Sequence, residues 1–145
     1  MNADRDKHGE DNMNTLKVLL VDDHERFRKS VASFLCELAF VEIVGEAANG
    51  EDAILQTEKL HPDLVLMDLD MPERDGFQAT REIKLRVPRT KVVILSMHDG
   101  EAYRRMAWRH SADGFIDKAQ MKVNLLEIIS REQGRLGGGD LAAAV

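Results

Sequence analysis

The chain has 145 residues, enough for one domain with a buried core and too few for two ordinary ones. A net charge of −6 with no run of Lys and Arg argues against a standing nucleic-acid surface. No apolar stretch approaches the roughly 20 residues of a membrane span, and the polar N-terminus lacks the apolar centre of a signal peptide.

Residues 1–15 read as a disordered arm, with alternating charges and no apolar period. Order is expected over residues 16–133. The run Leu16-Lys17-Val18-Leu19-Leu20-Val21 predicts a strand buried on both faces, as in a parallel sheet covered by helices. A helix follows over about 25–38, with Phe27, Val31, Phe34, Leu35 and Leu38 at helical spacing. The single Cys36 lies among these apolar residues and is expected to be a buried free thiol. With no intrachain disulfide available, it suits a reducing, cytoplasmic compartment. A second strand is predicted near 41–46. Asn49-Gly50 turns the chain into a helix that His61-Pro62 stops, because the residue before proline disfavours the helical region.

The third strand covers 64–68 and ends on Asp68, from which the chain opens into a Pro/Gly loop, Leu69-Asp70-Met71-Pro72-Glu73-Arg74-Asp75-Gly76. A helix over about 77–85 ends before Val87-Pro88. The fourth strand is Val92-Val93-Ile94-Leu95-Ser96, followed by a helix over about 101–108. A short strand, Gly114-Phe115-Ile116, leads to Lys118. The last helix covers about 122–133, with Val123, Leu126 and Ile129 expected to face inward. Residues 134–145 are Gly- and Ala-rich and read as a flexible tail or the start of a linker.

Five alternations of strand and helix predict an open, doubly wound α/β sheet with helices on both faces. Sites in such sheets lie outside the carboxyl ends of the strands. Asp22, Asp23, Asp68, Ser96 and Lys118 all fall there. Clustered carboxylates repel one another and call for a cation. Oxygen donors with no nearby His or Cys pattern favour Mg²⁺, with Mn²⁺ as the alternative. Lys118 adds a second positive charge, and the Ser96 hydroxyl can donate to a further oxygen. Phosphoryl transfer needs mainly such positioning and neutralisation, with Asp68 as the nucleophile that forms an acyl phosphate. Each residue also has a plainer explanation. Asp22 and Asp23 can cap the following helix, Lys118 can be a solvated surface residue, Ser96 can form a turn, and Asp70 and Asp75 suit a loop. Their shared place at one edge of the sheet favours the chemical reading.

The segments Val18-Leu19-Leu20-Val21-Asp22-Asp23-His24, Asp68-Leu69-Asp70-Met71-Pro72 with Asp75-Gly76, Val93-Ile94-Leu95-Ser96-Met97-His98 and Ala112-Asp113-Gly114-Phe115-Ile116-Asp117-Lys118 resemble the receiver domain of two-component response regulators. Their wording is most similar to the NarL/FixJ subfamily. The resemblance covers about residues 16–133. It implies a flavodoxin-like (βα)5 fold, a five-stranded parallel sheet in the order 2-1-3-4-5. It implies that Asp68 accepts a phosphoryl group from a histidine kinase. Asp23 and Asp68 would ligate Mg²⁺, Asp22 would support it, and the backbone carbonyl of Asp70 would complete the protein ligands. Ser96 would take the switch-hydroxyl role, Lys118 would pair with the phosphate, and Phe115 would be the switch aromatic.

The chain departs from the family at three positions. Ala119 follows the lysine where many receivers carry a cis proline, so a trans bond is expected. Ser111 stands where relatives usually carry Gly, and serine tolerates the left-handed region poorly. Trp108 is unusual on the fourth helix and reads either as a packing residue or as a partner-facing anchor. Family members often dimerise on phosphorylation and continue into a DNA-binding domain, whereas no DNA-reading module is evident in this chain. Two competing readings are a pseudo-receiver that binds partners without phosphorylation and a phosphatase with Asp68-Leu69-Asp70 as its Asp-x-Asp pair. The favoured reading is a signalling switch rather than a turnover enzyme.

Overall fold

The apolar runs become five strands, because each can bury alternate side chains on opposite faces of one sheet. The structure is a computed structural model describing residues 15–71, 75–98 and 100–136. The expected arm through residue 14, loop residues 72–74, the Asp75 side chain and the tail from residue 137 lie outside the described residues. The strands are β1 (Leu16–Val21), β2 (Val41–Ala47), β3 (Leu64–Asp68), β4 (Lys91–Ser96) and β5 (Gly114–Asp117). The helices are α1 (Glu25–Cys36), α2 (Gly50–Leu60), α3 (Asp75–Arg86), α4 (Glu101–Arg109) and α5 (Met121–Leu136), with a 3-10 turn, Lys118–Gln120, before α5. All neighbouring strands are parallel, in the order β2-β1-β3-β4-β5. This is the expected fold.

Alternation divides the core in two. Leu16, Val18, Leu20, Leu64, Leu66, Val93 and Leu95 pack with Val31 and Leu35 of α1 and with Leu125 and Ile129 of α5. Leu19, Val21, Val65, Met67, Val92 and Ile94 face the other side, with Ala53 of α2, Ala79 and Ile83 of α3, and Ala107 of α4. Each Val, Leu, Ile or Met side chain among them contributes about 1.5–3 kcal/mol when fully buried. The two layers therefore hold the sheet rigid beneath its carboxyl edge.

Two expectations about helix faces are corrected. Cys36 is exposed, because it is one residue past the inward-facing Leu35 and a helix rotates about 100° per residue. On α5 the buried stripe is Met121, Leu125 and Ile129, spaced by four. Val123 is 72% exposed and Leu126 also faces solvent, so only Ile129 of the three expected residues is buried. The same helix continues to Leu136, three residues beyond its expected end.

Helix ends obey local chemistry. Asn49 caps α2, its side-chain oxygen accepting the Asp52 N–H at 2.8 Å. His61, before Pro62, leaves the helical region for φ 47°. Ser111 ends α4 at φ 69°. Its N–H donates to Trp108 O, and the Ala112 N–H reaches back to Ala107 O, both at 3.0 Å. This is the Schellman pattern with serine in the usual glycine place, so the left-handed end survives the substitution. The Lys118–Ala119 bond is trans, as expected.

Candidate functional site

The carboxyl ends of β1, β3, β4 and β5 converge on one acidic hollow. Asp68 is the last residue of β3 and 0% exposed. Its Oδ1 accepts the Asp70 N–H at 3.0 Å and pairs with Lys118 Nζ at 2.7 Å. Asp22 lies one residue past β1, its N–H extending the ladder to Ala47 O at 2.9 Å. Its Oδ1 accepts the His24 N–H at 2.7 Å. Arg28 holds the Asp22 backbone carbonyl through Nη1 at 2.6 Å and is itself paired with Glu46 at 2.6 Å. The capping explanation for the two acids does not hold: the N-cap of α1 is His24, with no side-chain cap bond.

Lys118 reaches the hollow from the end of β5, with its side chain 8% exposed. The ammonium lies 2.7 Å from Asp68, 3.3 Å from Asp70 and 3.9 Å from Asp22. It also sits 4.4 Å from the Phe27 ring centroid. Lys118 is therefore not a solvated surface residue. Burial alone would lower its pKa, but the hydrogen bond to Asp68 and the charges of Asp68, Asp22 and Asp70 outweigh that and raise it above its ordinary value. Burial, reinforced by the charge of Asp68, pushes the Asp22 carboxyl up to about 6 against the pull of the His24 N–H and Lys118.

Among the described residues, three buried carboxylate oxygens accept no hydrogen bond: Asp22 Oδ2, Asp23 Oδ1 and Asp68 Oδ2. Asp23 Oδ1 lies 3.0 Å from the exposed His24 ring without the alignment of a hydrogen bond. Buried oxygens without donors are costly, and a cation among them removes that cost. Ligand atoms of Asp22, Asp23, Asp68 and His24 lie within 4.8 Å of one another. The acidic cluster can thus hold a metal ion. A ring nitrogen of the exposed His24 also lies within that distance.

Ser96, the last residue of β4, is fully buried. Its Oγ accepts the His98 N–H at 2.9 Å and donates to Asp70 Oδ1 at 3.4 Å. Asp70 Oδ2 also accepts the Met97 N–H at 2.9 Å. The Asp70 side chain therefore ties β3 to the loop after β4. Phe115 is buried against the α4 side of the core, with the Arg104 guanidinium 4.9 Å from its ring centroid. Trp108 is 54% exposed, which places it at the surface rather than in the core. It lines a cavity of about 400 Å³ with Arg104, Phe115, Asn124, Ile128 and Arg131. Among the described residues, no helix is long and apolar enough to cross a membrane.

Comparisons with known proteins agree with this geometry. Residues 18–130 match the response regulator receiver domain. The chain is 46% identical over 119 residues to the response regulator protein VraR of Staphylococcus aureus, covering 81% of this chain and 56% of that protein. It is 36% identical over 118 residues to the transcriptional regulatory protein DegU of Brevibacillus brevis, covering 81% and 50%. The chain thus spans about half the length of these curated relatives. Among solved structures, a LuxR-family response regulator from Aurantimonas superposes with a TM-score of 0.78 at 29% identity, covering 83% of this chain and 86% of that one. The receiver domain of NarL from Mycobacterium tuberculosis superposes with a TM-score of 0.75 at 29% identity, covering 83% and 98%.

Proposed function

Because this chain belongs to the response-regulator receiver family, we propose that it is a phosphorylation-driven switch with Asp68 as its acceptor and a histidine kinase as its donor. A carboxylate oxygen of Asp68 attacks the phosphorus, the P–N bond to the donor imidazole breaks, and the electron pair leaves with the ring. The observation that carries the reading is the pairing of the buried Asp68 with Lys118 at 2.7 Å beside a carboxylate oxygen that accepts no hydrogen bond. Lys118 neutralises the incoming charge, and its raised pKa keeps it protonated near neutral pH.

Asp22, Asp23 and Asp68, with the backbone carbonyl of Asp70, would hold Mg²⁺, or Mn²⁺ in its place. Bound there, the cation offsets the negative charge of the phosphoryl oxygens. Ser96 and Phe115 then relay the event. The Ser96 hydroxyl turns to the new phosphoryl group, and Phe115 follows in the space beneath Arg104. The same reading places the protein in the cytoplasm and gives it self-catalysed phosphorylation and dephosphorylation rather than turnover of a separate substrate. It also has the phosphorylated form dimerise.

The test is incubation with Mg²⁺ and acetyl phosphate, followed by intact mass measurement. One base-labile phosphoryl adduct on the wild type and none on Asp68→Asn is the expected result. Absence of an adduct from both acetyl phosphate and a phosphorylated kinase would sink the reading.

A further inference from the structure

We propose that the His24 imidazole makes the acidic hollow a site for a borderline divalent cation of the zinc class, and that such an ion bars phosphorylation. The proposal rests on the metal-holding cluster and, for its consequence, on the phosphoacceptor reading of Asp68.

His24 joins the acids after β1 to the first turn of α1. Its N–H donates to Asp22 Oδ1 at 2.7 Å, and its carbonyl accepts the Arg28 N–H at 3.0 Å. The backbone is therefore held on both sides. As the N-cap of α1, His24 makes no side-chain cap bond, so its ring is free of that local duty. The ring faces the two acids instead. Nδ1 lies 3.0 Å from Asp23 Oδ1 and 3.5 Å from Asp22 Oδ1. Ligands at about 2.0 Å from a tetrahedral ion stand roughly 3.3 Å apart, a spacing that those two distances bracket.

A second observation points to an ion. Asp22 and Asp68 are 4% and 0% exposed, and each keeps a buried Oδ2 that accepts no hydrogen bond among the described residues. A plain ion pair between His24 and Asp23 leaves those two oxygens unsatisfied, whereas an ion shared by all four residues does not. The donor set decides which ion. Imidazole nitrogen suits zinc, copper and nickel, while Mg²⁺ takes carboxylate oxygen and water. Mg²⁺ would bind through the carboxylates and keep water positions open. A zinc-class ion that draws on His24, Asp22, Asp23 and Asp68 has a closed tetrahedral shell. It offers no position to a phosphoryl oxygen and occupies an oxygen of the acceptor.

Co²⁺ titrated into the full chain tests the coordination, because a tetrahedral Co²⁺ site absorbs intensely in the visible and an octahedral one weakly. One equivalent should give the intense band, Zn²⁺ should bleach it, and His24→Gln should lose it. Zn²⁺ affinity, read by dye competition, should fall in that variant by at least about tenfold, the lower end of what disturbing a metal's surroundings costs. Labelling by acetyl phosphate at saturating Mg²⁺ tests the consequence. In that step Asp68 attacks phosphorus, the P–O bond to the acetyl group breaks, and acetate leaves with the electron pair. One equivalent of Zn²⁺ should suppress the label on wild type, and the same Zn²⁺ should leave His24→Gln labelled. A weak octahedral spectrum, a band that survives in His24→Gln, or labelling indifferent to Zn²⁺ overturns the proposal and leaves the acceptor reading intact. No label with Mg²⁺ alone overturns the acceptor reading and with it the proposed consequence. A measurement on the unmutated protein covers a misfolded variant: one equivalent of Zn²⁺ should shift the His24 ring signals, and unmoved signals contradict the proposal.

Discussion

Asp22 shows what it costs to gather carboxylates under a sheet edge. Its carboxyl is held at about 6, against an ordinary 3.8, chiefly by burial. Between those values the folded protein binds more protons than the unfolded chain, so this residue's contribution to metal-free stability falls as pH rises through the window and is flat above it. Thermal melts of wild type and Asp22→Asn across this range should show the gap moving against wild type, and saturating Mg²⁺ should remove the trend. A pH-independent gap would contradict the assignment. The proposed function gives Lys118 a separate duty, countering phosphoryl charge rather than holding metal. Lys118→Ala should therefore keep Mg²⁺ affinity, read by calorimetry, while losing the response to phosphorylation. Abolished Mg²⁺ binding would argue against that division. The positions of Asp22, Asp68, Ser96 and Lys118 were legible because each ends an apolar run. The contacts of the Asp70 side chain and of Arg28 were not, because their partners are distant in sequence: Met97 for the first, Glu46 for the second.

At the scale of elements, the sequence pattern located each strand and α-helix of the described residues but misjudged which residues of α5 face inward. Val123 and Leu126 satisfy a helical spacing as well as Leu125 does, and only packing against β1 and β5 decides between them. Turn chemistry read from single residues fared better. Ser111 does occupy the left-handed position that serine tolerates poorly. Ser111→Gly should stabilise the protein by about 1 kcal/mol, seen as a higher denaturant midpoint. No gain would mean that the serine conformation is unstrained. Gly76, in the first turn of α3, has a different role. A Cβ there would lie 2.9 Å from the Asp68 carbonyl oxygen and 3.3 Å from Leu69 Cα, both backbone atoms. Gly76→Ala should cost about 1–3 kcal/mol, as overpacking does, and should also slow Asp68 labelling. A variant that folds and labels normally would show that the acceptor loop has slack.

For the whole molecule, the question is how a charge added at one edge reaches a distant face. Under the proposed switch the signal would pass from Asp68 and Lys118 to Ser96, and from there to Phe115, which shares a cavity lining with Arg104 and Trp108. Trp108 is the chain's single tryptophan, and its exposure makes its emission a direct report on α4. Phosphorylation should shift that emission in wild type and leave Asp68→Asn unchanged. An identical spectrum before and after labelling would mean that the event stays local. The sheet order was legible only through the family resemblance, because alternation alone predicts a parallel sheet and not which strands adjoin. The output of the switch was not legible at all, since Asp68 and its neighbours encode a state rather than a target. The most direct test of the central claim is borohydride reduction of the acetyl-phosphate-treated protein, followed by peptide mass mapping. Reduction turns an acyl-phosphate aspartate into homoserine. The change should appear at position 68 and be absent at 22, 23 and 70; a label at any of those three, or none at 68, would contradict the account.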